Sequence, residues 1–375
     1  MKNMFYLIEK CARQFEGMLD YEVQQNDVLK VRSILARYTM DCIGSCVFGI
    51  ETKTMEKDSN NNQFTIIGHD LFLETKGRGL KMIARCIWPR IFYALGLRNF
   101  PENISNFFHN LMTEVFRGRN YKPTARNDFV DLLLHLYNEK YITGDSIENM
   151  KRGNKKISLK ADDELLVAQC SLFFAAGFET SATTVHFALY ELAKNQEAQD
   201  KVIEEVDEYL RSHNNKIEYD CTTELPYIEA CLDEALRLYP VLSIITREVY
   251  EKYTLPCGTV LDKGVRVHLP VYHIHHHPNF FPDPEKFRPE RFLGEEKRNI
   301  KQYTYFPFGE GPRICLGMRF SKMQTIPGMI TILKKYRVEL TEPAQDLEFF
   351  STTLVITPKQ EIKLKFVVRE GWETR

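Results

Sequence analysis

Phe308-Gly309-Glu310-Gly311-Pro312-Arg313-Ile314-Cys315-Leu316-Gly317 sets one cysteine behind a glycine-rich turn and ahead of an apolar, helix-compatible run. The deprotonated sulfur is the form of cysteine that binds metals and attacks electrophiles, and the residues around Cys315 suit it. Gly311 permits a tight turn and Gly317 a close approach of backbone. Backbone N–H groups and the start of the following helix can stabilise a thiolate charge. Phe308 is placed to shield the sulfur from water. The other reading is a plain core thiol in a glycine-rich turn, since free cysteine often behaves as a small hydrophobe.

Two further motifs lie upstream. Glu234-Ala235-Leu236-Arg237 puts an acid and a base at i and i+3 on one helix face, where they can pair. Ala175-Ala176-Gly177-Phe178-Glu179-Thr180-Ser181 falls inside the longest apolar stretch. A glycine there costs about 1 kcal/mol against alanine, and buried Glu and Thr cost more unless satisfied, so the motif needs a reason. Thr180 stands four residues after Ala176 and can bond its carbonyl, opening the helix locally. The bland alternative is a Thr capping its own turn beside a solvent-pointing Glu179.

The rest of the chain reads as mainly α, of α+β type. Its 375 residues, 43% hydrophobic and 27% charged, suffice for a large core. With 50 basic and 51 acidic residues, no overall field draws it to nucleic acid, and charge-based recognition must be local. Nine cysteines without a Cys-x-x-Cys pair point to a reduced, cytosol-facing compartment. With no run of about 18 apolar residues and no signal-peptide pattern after Met1, no bilayer span is expected.

Apolar spacing predicts two helices within 4–49, parted near 22–27, and a long helix over 162–194, apolar nearly all round from Leu165 to Ala176 and so expected to cross the core. Shorter helices are predicted over 197–210 and 227–238, and loops over 51–63, 118–128 and 143–160. Short β segments with a turn at Asp262-Lys263-Gly264 are expected over 247–268, and similar ones over 347–368. His273-Ile274-His275-His276-His277 invites a metal reading, but adjacent histidines on an extended segment point to opposite faces and no second ligand pair lies near. Pro327 sits in the helix after Cys315, where it costs about 3 kcal/mol or produces a kink.

With the Ala-Gly-x-Glu-Thr, Glu-x-x-Arg and cysteine motifs in this order along the chain, and Phe287-Arg288-Pro289-Glu290-Arg291-Phe292 between the last two, the chain resembles the cytochrome P-450 superfamily over nearly its whole length. Asp41-Cys42-Ile43-Gly44-Ser45-Cys46-Val47-Phe48-Gly49, Phe173-Phe174-Ala175-Ala176-Gly177 and Met318-Arg319-Phe320 look closest to the insect microsomal detoxification branch. The resemblance implies one cytochrome P-450 domain over 1–375, a helical bundle around haem with small β-sheets. It implies a haem-thiolate monooxygenase inserting one oxygen atom from O2 into small apolar molecules, xenobiotics or endogenous lipids and hormones.

Carried over residue by residue, it makes Cys315 the axial ligand of haem b iron and Glu179 and Thr180 the acid–alcohol pair that delivers protons. Arg247, in Ile245-Thr246-Arg247-Glu248, and Arg313 become partners of the propionates. Phe308, Gly311, Gly317 and Ala176 lie at the cofactor, and Glu234, Arg237 and Arg291 form a structural triad beneath it. Phe173, Phe174, Phe178, 241–245 and 349–354 would line an apolar pocket. Electrons would come from NADPH through NADPH–cytochrome P-450 reductase, docked where Arg313, Arg319 and Lys322 supply positive charge, with cytochrome b5 as a second donor. The location implied is the cytosolic face of the endoplasmic reticulum membrane, without a nucleic-acid partner.

One departure stands out. The family's Trp-x-x-x-Arg helix, which clamps a propionate, has no counterpart: Trp88 is followed four residues later by Phe92, and Trp372 by the end of the chain. Met1 is expected to fall just after that helix, beyond the anchor, the first strands and one wall of the pocket. The alternative reading is therefore a truncated, non-catalytic fragment that binds haem weakly. An isomerase or dehydratase that uses no O2 is a further rival, against which Thr180 counts.

Overall fold

Phe5, Ile8, Ala12, Phe15 and Leu19 recur at helical spacing and are all buried, forming the inner stripe of α1 (Phe5–Gln25). The computed structural model describes all residues except 58–60, 73–75, 99–100, 146–154, 345, 352 and 375. A short strand, β1 (Val28–Lys30), separates α1 from α2 (Val31–Ile43), and a π-helical turn over Gly44–Phe48 ends on Gly49 at φ +67°. There follow α3 (Gln63–Phe72), α4 (Lys76–Ile87), α5 (Pro89–Ala94), α6 (Glu102–Gly118) and α7 (Phe129–Asn138).

Within the stretch 143–160, expected as loop, residues 143–145 and 156–160 are instead strand, and 146–154 lie outside the described residues. β2 (Tyr141–Asp145) and β3 (Lys156–Lys160) pair antiparallel from Tyr141↔Lys160 to Asp145↔Lys156. Ile142, Thr143, Ile157 and Leu159 supply strand-favouring side chains that the neighbouring Lys, Asp and Gly obscured. Nearly all ten strand residues are exposed, so the ladder is held chiefly by its backbone bonds.

Next come α8 (Asp163–Lys194), capped by Asp162 Oδ1 accepting from Leu165 N at 3.1 Å, and α9 (Gln196–Ser212). After α10 (Cys221–Glu224), α11 (Pro226–Leu238) begins on a proline, whose missing N–H is harmless at a first helical position. β4 (Ile245–Glu248) pairs with β7 (Arg266–Leu269), and β5 (Tyr253–Thr254) with β6 (Val260–Leu261). The remaining elements are α12 (Val271–His275), α13 (Gly294–Asn299), α14 (Met318–Leu333), β8 (Tyr336–Leu340) and β9 (Lys363–Val368), the last forming the sheet β1-β9-β8. The architecture is mainly α with small antiparallel sheets.

Two compact units divide the chain: residues 1–18 with 36–179, and residues 19–35 with 180–375. In the first, Phe174 packs against Phe48, Phe108 and Phe178 with centroids 5.7, 5.1 and 5.0 Å apart. The glycine of the α8 motif has a packing reason: a Cβ on Gly177 would collide with Ile43 Cδ1, so α2 approaches α8 only because that position is bare. Thr39 Oγ1 donates to the Phe178 carbonyl at 3.0 Å beside it.

In the second unit every residue from 181 to 193 of α8 is buried. The Glu191 carboxylate accepts from Tyr239 Oη at 2.6 Å and Lys194 Nζ at 2.8 Å, while Phe187 stacks on Tyr239 at 4.3 Å. Gln324 Nε2 donates to Ser181 Oγ at 2.5 Å. Gln199 acts as a piece of strand, donating to the Val338 carbonyl at 2.9 Å and accepting from its N–H at 2.8 Å. By length and composition α8 could cross a membrane. These packed partners make its C-terminal half a core helix.

Burial and apolarity therefore part company along α8. The apolar half includes Leu172 at 59% exposure, whereas the more polar half is buried, with internal partners for Ser181, Thr184 and Glu191. α14 runs through Pro327 unbroken, and the Pro327 carbonyl accepts from Thr331 Oγ1 at 2.7 Å.

The first unit has one buried charge centre that can be tested. Asp128 caps α7 by accepting from Asp131 N at 3.1 Å, and it takes Arg119 Nη1 and Nη2 at 2.8 and 2.6 Å. A Cβ on Gly49 would collide with that guanidinium. Since removing one partner strands a buried charge, Asp128→Ala should lose about 3–5 kcal/mol in urea unfolding. A loss below ~1 kcal/mol, the worth of an exposed pair, would mean that Arg119 is held adequately by Asp131 alone.

Candidate active site

The segment around Cys315 is a chain of local bonds. Gly309 N donates to the Phe306 carbonyl at 3.0 Å, Ile314 N to Gly311 O at 3.0 Å, and Cys315 N to Phe308 O at 2.8 Å. Gly309 and Gly311 take φ of +74° and +71°, which only glycine adopts readily. Gly311–Arg313 forms one 3-10 turn, and Gly317 starts α14 two residues beyond the cysteine. A β-carbon on Gly317 would lie 3.9 Å from Cys315 Sγ.

Exposure separates this cysteine from most others. Residues 310–316 are all exposed, whereas Cys11, Cys42, Cys46, Cys170, Cys221 and Cys231 are buried. Burial pushes the Cys170 thiol up to about 12 and those of Cys42, Cys46 and Cys231 well above their ordinary value, so these remain inert thiols. The core-thiol reading of Cys315 fails on this ground. Cys257 is also exposed, but it belongs to the β5–β6 turn with no helix after it.

Behind the loop lies a fully buried ion network. Arg237 donates through Nε and Nη2 to both Glu234 carboxylate oxygens at 2.7 and 2.8 Å. Its remaining N–H groups reach the carbonyls of His275 at 2.9 Å, Pro284 at 2.8 Å and Lys286 at 3.3 Å. Arg291 Nε meets Glu234 Oε1 at 3.3 Å, Arg291 Nη2 donates to Pro282 O at 2.6 Å and Asp283 O at 2.9 Å, and Arg288 N donates to Glu234 Oε1 at 3.0 Å. Each guanidinium thus pins loop backbone as well as the carboxylate, which offsets the cost of burying the charges.

The link from this network to the cysteine segment is His275, which the sequence did not single out. Its Nε2 accepts from Phe306 N at 3.1 Å, so the neutral ring carries its proton on Nδ1, while Tyr305 stacks on the ring at 5.2 Å. The run of histidines is helical as far as His275, not extended as expected: Pro270 opens α12, and His275 alone of the run is buried. Local sequence holds no signal separating His275 from its neighbours. Tyr305 Oη also donates to Asp233 Oδ1 at 3.0 Å, and burial, with Glu229 nearby, raises that carboxyl to about 6.

Arg247 lies against the same loop, because a β-carbon on Gly309 would be 3.6 Å from its Nη2. Neither Arg247 nor Arg313 has a carboxylate partner among the described residues. Lys322, in contrast, is paired with Glu229 at 2.6 Å. On α8, Glu179 is buried at 7% exposure, which excludes the solvent-pointing reading; Thr180 is half-buried and Ala176 exposed. The helix remains α-helical through 176–180, and the Thr180 carbonyl accepts from Thr184 Oγ1 at 2.9 Å. Phe174 and Phe178 are core rings, and Phe173 packs on Phe129 at 4.2 Å.

His275 gives the region a pH signature. Burial, reinforced by Arg237, lowers it from 6.5 to about 3, and His186, buried on α8 without a hydrogen-bond partner, is lowered likewise. Between pH 3 and 6.5 the unfolded chain binds protons that the folded one refuses, so stability falls as pH drops through this window. Urea midpoints from pH 7 to 5 should decline in the wild type and decline less steeply in His275→Gln, whose amide oxygen can still accept from Phe306 N. Parallel declines would show that His275 does not contribute.

Comparison with known proteins agrees with this arrangement. The family model described as cytochrome P-450 matches residues 1–366. Cytochrome P-450 6a8 of Drosophila melanogaster is 34% identical over 97% of this chain and 71% of its own length. Cytochrome P-450 6B2 of Helicoverpa armigera is 33% identical over 99% and 72%, and cytochrome P-450 6k1 of Blattella germanica 33% over 98% and 71%. The chain belongs to the cytochrome P-450 family of haem-thiolate monooxygenases.

Proposed function

We propose that the chain oxygenates small apolar molecules, of xenobiotic or endogenous lipid type, and that the Cys315 sulfur would hold haem iron. The observation that carries this reading is a single exposed sulfur on a glycine-shaped loop tied through His275 to a buried ion network. The donor set fits haem: one sulfur for iron, unpaired guanidiniums on Arg247 and Arg313 for two carboxylate tails, and exposed apolar side chains on Ile314 and Leu316 for a flat ring. Bound haem supplies the iron at which O2 is reduced and cleaved.

The protein's own contributions follow from its residues. Phe308 and Gly317 limit what can approach the sulfur, and Gly311 gives the turn that presents it. Glu179 and Thr180, consecutive on α8, hold a carboxyl and a hydroxyl that can pass protons, with Ala176 leaving room one turn earlier. Glu234, Arg237 and Arg291 hold the loop and take no part in chemistry. For NADPH–cytochrome P-450 reductase or cytochrome b5, Arg319 presents the free positive charge, since Lys322 is neutralised by Glu229 and Arg313 is committed to a carboxylate tail. An apolar substrate suits the exposed Leu242, Ile244, Phe350 and Leu354.

Association with the cytosolic face of the endoplasmic reticulum membrane has its own support. α4 and α5 expose Leu80, Ile83, Ile87, Trp88 and Ile91 at 56–69%, and residues 76–101 contain six basic and no acidic side chains. Apolar residues beside lysine and arginine are what an anionic bilayer surface binds. In sedimentation with vesicles containing phosphatidylserine, Leu80→Asp/Ile83→Asp should lower the bound fraction severalfold. Unchanged binding would place membrane contact elsewhere.

The ligand assignment is checked by the carbon-monoxide difference spectrum of the reduced, haem-loaded protein. Cys315→Ser should abolish the thiolate-type band while Cys231→Ser and Cys257→Ser retain it. A thiolate band surviving in Cys315→Ser overturns the assignment.

A further inference from the structure

From the junction of α9 and α10, far in sequence from the cysteine loop, we infer a divalent-metal site of zinc type formed by His213, Asp220 and Glu224. His213 caps the C-terminal end of α9, and Asp220 and Glu224 stand four apart around the turn that forms α10, which puts both carboxylates on one face. One ligand atom from each of the three lies within 4.8 Å of the others.

The distances favour a shared cation over direct pairing. His213 Nε2 stands 3.4 Å from Glu224 Oε2 and 3.8 Å from Asp220 Oδ2. An imidazolium that paired with either carboxylate would draw it to about 2.7–2.9 Å. Ligands bonded tetrahedrally to zinc at about 2.0–2.1 Å are instead separated by about 3.3 Å, close to the separations found. One nitrogen and two carboxylate oxygens are a zinc-like set; calcium or magnesium would call for oxygen alone.

The neighbouring residues orient the ligands. His213 Nδ1 lies 2.9 Å from both the Tyr209 carbonyl and Ser212 Oγ, which fixes the ring and turns Nε2 toward the two carboxylates. Tyr209 sets up both sides of the site, for its ring stacks on His213 at 4.2 Å and its hydroxyl donates to Asp220 Oδ1 at 3.2 Å, leaving Oδ2 toward the centre. Asp220 and Glu224 are 43% and 49% exposed and His213 18%, so the fourth ligand is water and the ion enters from solvent.

Zinc chloride titrated against a chromophoric chelator, with haem-loaded Cys257→Ser protein, tests the inference. The protein should bind one more zinc equivalent than its His213→Asn counterpart, and zinc should raise the unfolding temperature of the first alone. Glu224→Gln, at a position too exposed to endanger folding, should lose the same equivalent, and Tyr209→Phe should bind zinc roughly tenfold more weakly through loss of its bond to Asp220. Equal zinc uptake with and without His213, or no uptake by either, overturns the site and leaves these residues as an ordinary charge cluster.

Discussion

The carboxylate of Glu234 is the constraint on which the cysteine region depends. Its side chain is wholly buried, as is that of Arg237, with Arg291 nearly so. A lone charge in such a place would be prohibitive, and removing one member of a buried pair typically costs about 3–5 kcal/mol. Two guanidiniums and the N–H of Arg288 meet the carboxylate, and the guanidiniums pass their remaining donors to carbonyls at 275, 282, 283, 284 and 286. The network therefore fixes backbone that has no regular secondary structure of its own.

From there the constraint passes to the sulfur. His275, whose carbonyl is held by Arg237, receives the N–H of Phe306, and the Phe306 carbonyl receives Gly309. Phe308 then takes the N–H of Cys315, and α14 begins at once. The cysteine side chain is exposed here while the bonds from Cys315 N through Phe308, Gly309 and Phe306 lead back to the buried His275. This is the usual division between a mobile-looking loop and the rigid scaffold that aims it.

The long helix α8 shows how composition and burial can separate. Its buried half carries Ser181, Thr183, Thr184, His186 and Glu191, for most of which the fold supplies internal partners. Its apolar half leaves Leu172 and Ala176 exposed. Gly177 serves packing, since Ile43 occupies the space a side chain would need.

The sequence by itself determined the helical character, the positions of the main helices and the cysteine, Glu-x-x-Arg and Ala-Gly-x-Glu-Thr motifs, because these depend on periodicity and on residue types within one turn or loop. Glu234 and Arg237 are three apart on one helix, so their pairing was legible; Arg291 entered only through resemblance. What tertiary structure alone decided involves partners distant in the chain. His275 over its neighbours, Ile43 against Gly177, the burial of Glu179, the pairing of Lys322 with Glu229, and the junction of His213 with Asp220 and Glu224 are such cases. Burial and hydrogen-bond satisfaction are properties of the whole packed chain, and a local pattern names the groups that need partners without naming the partners.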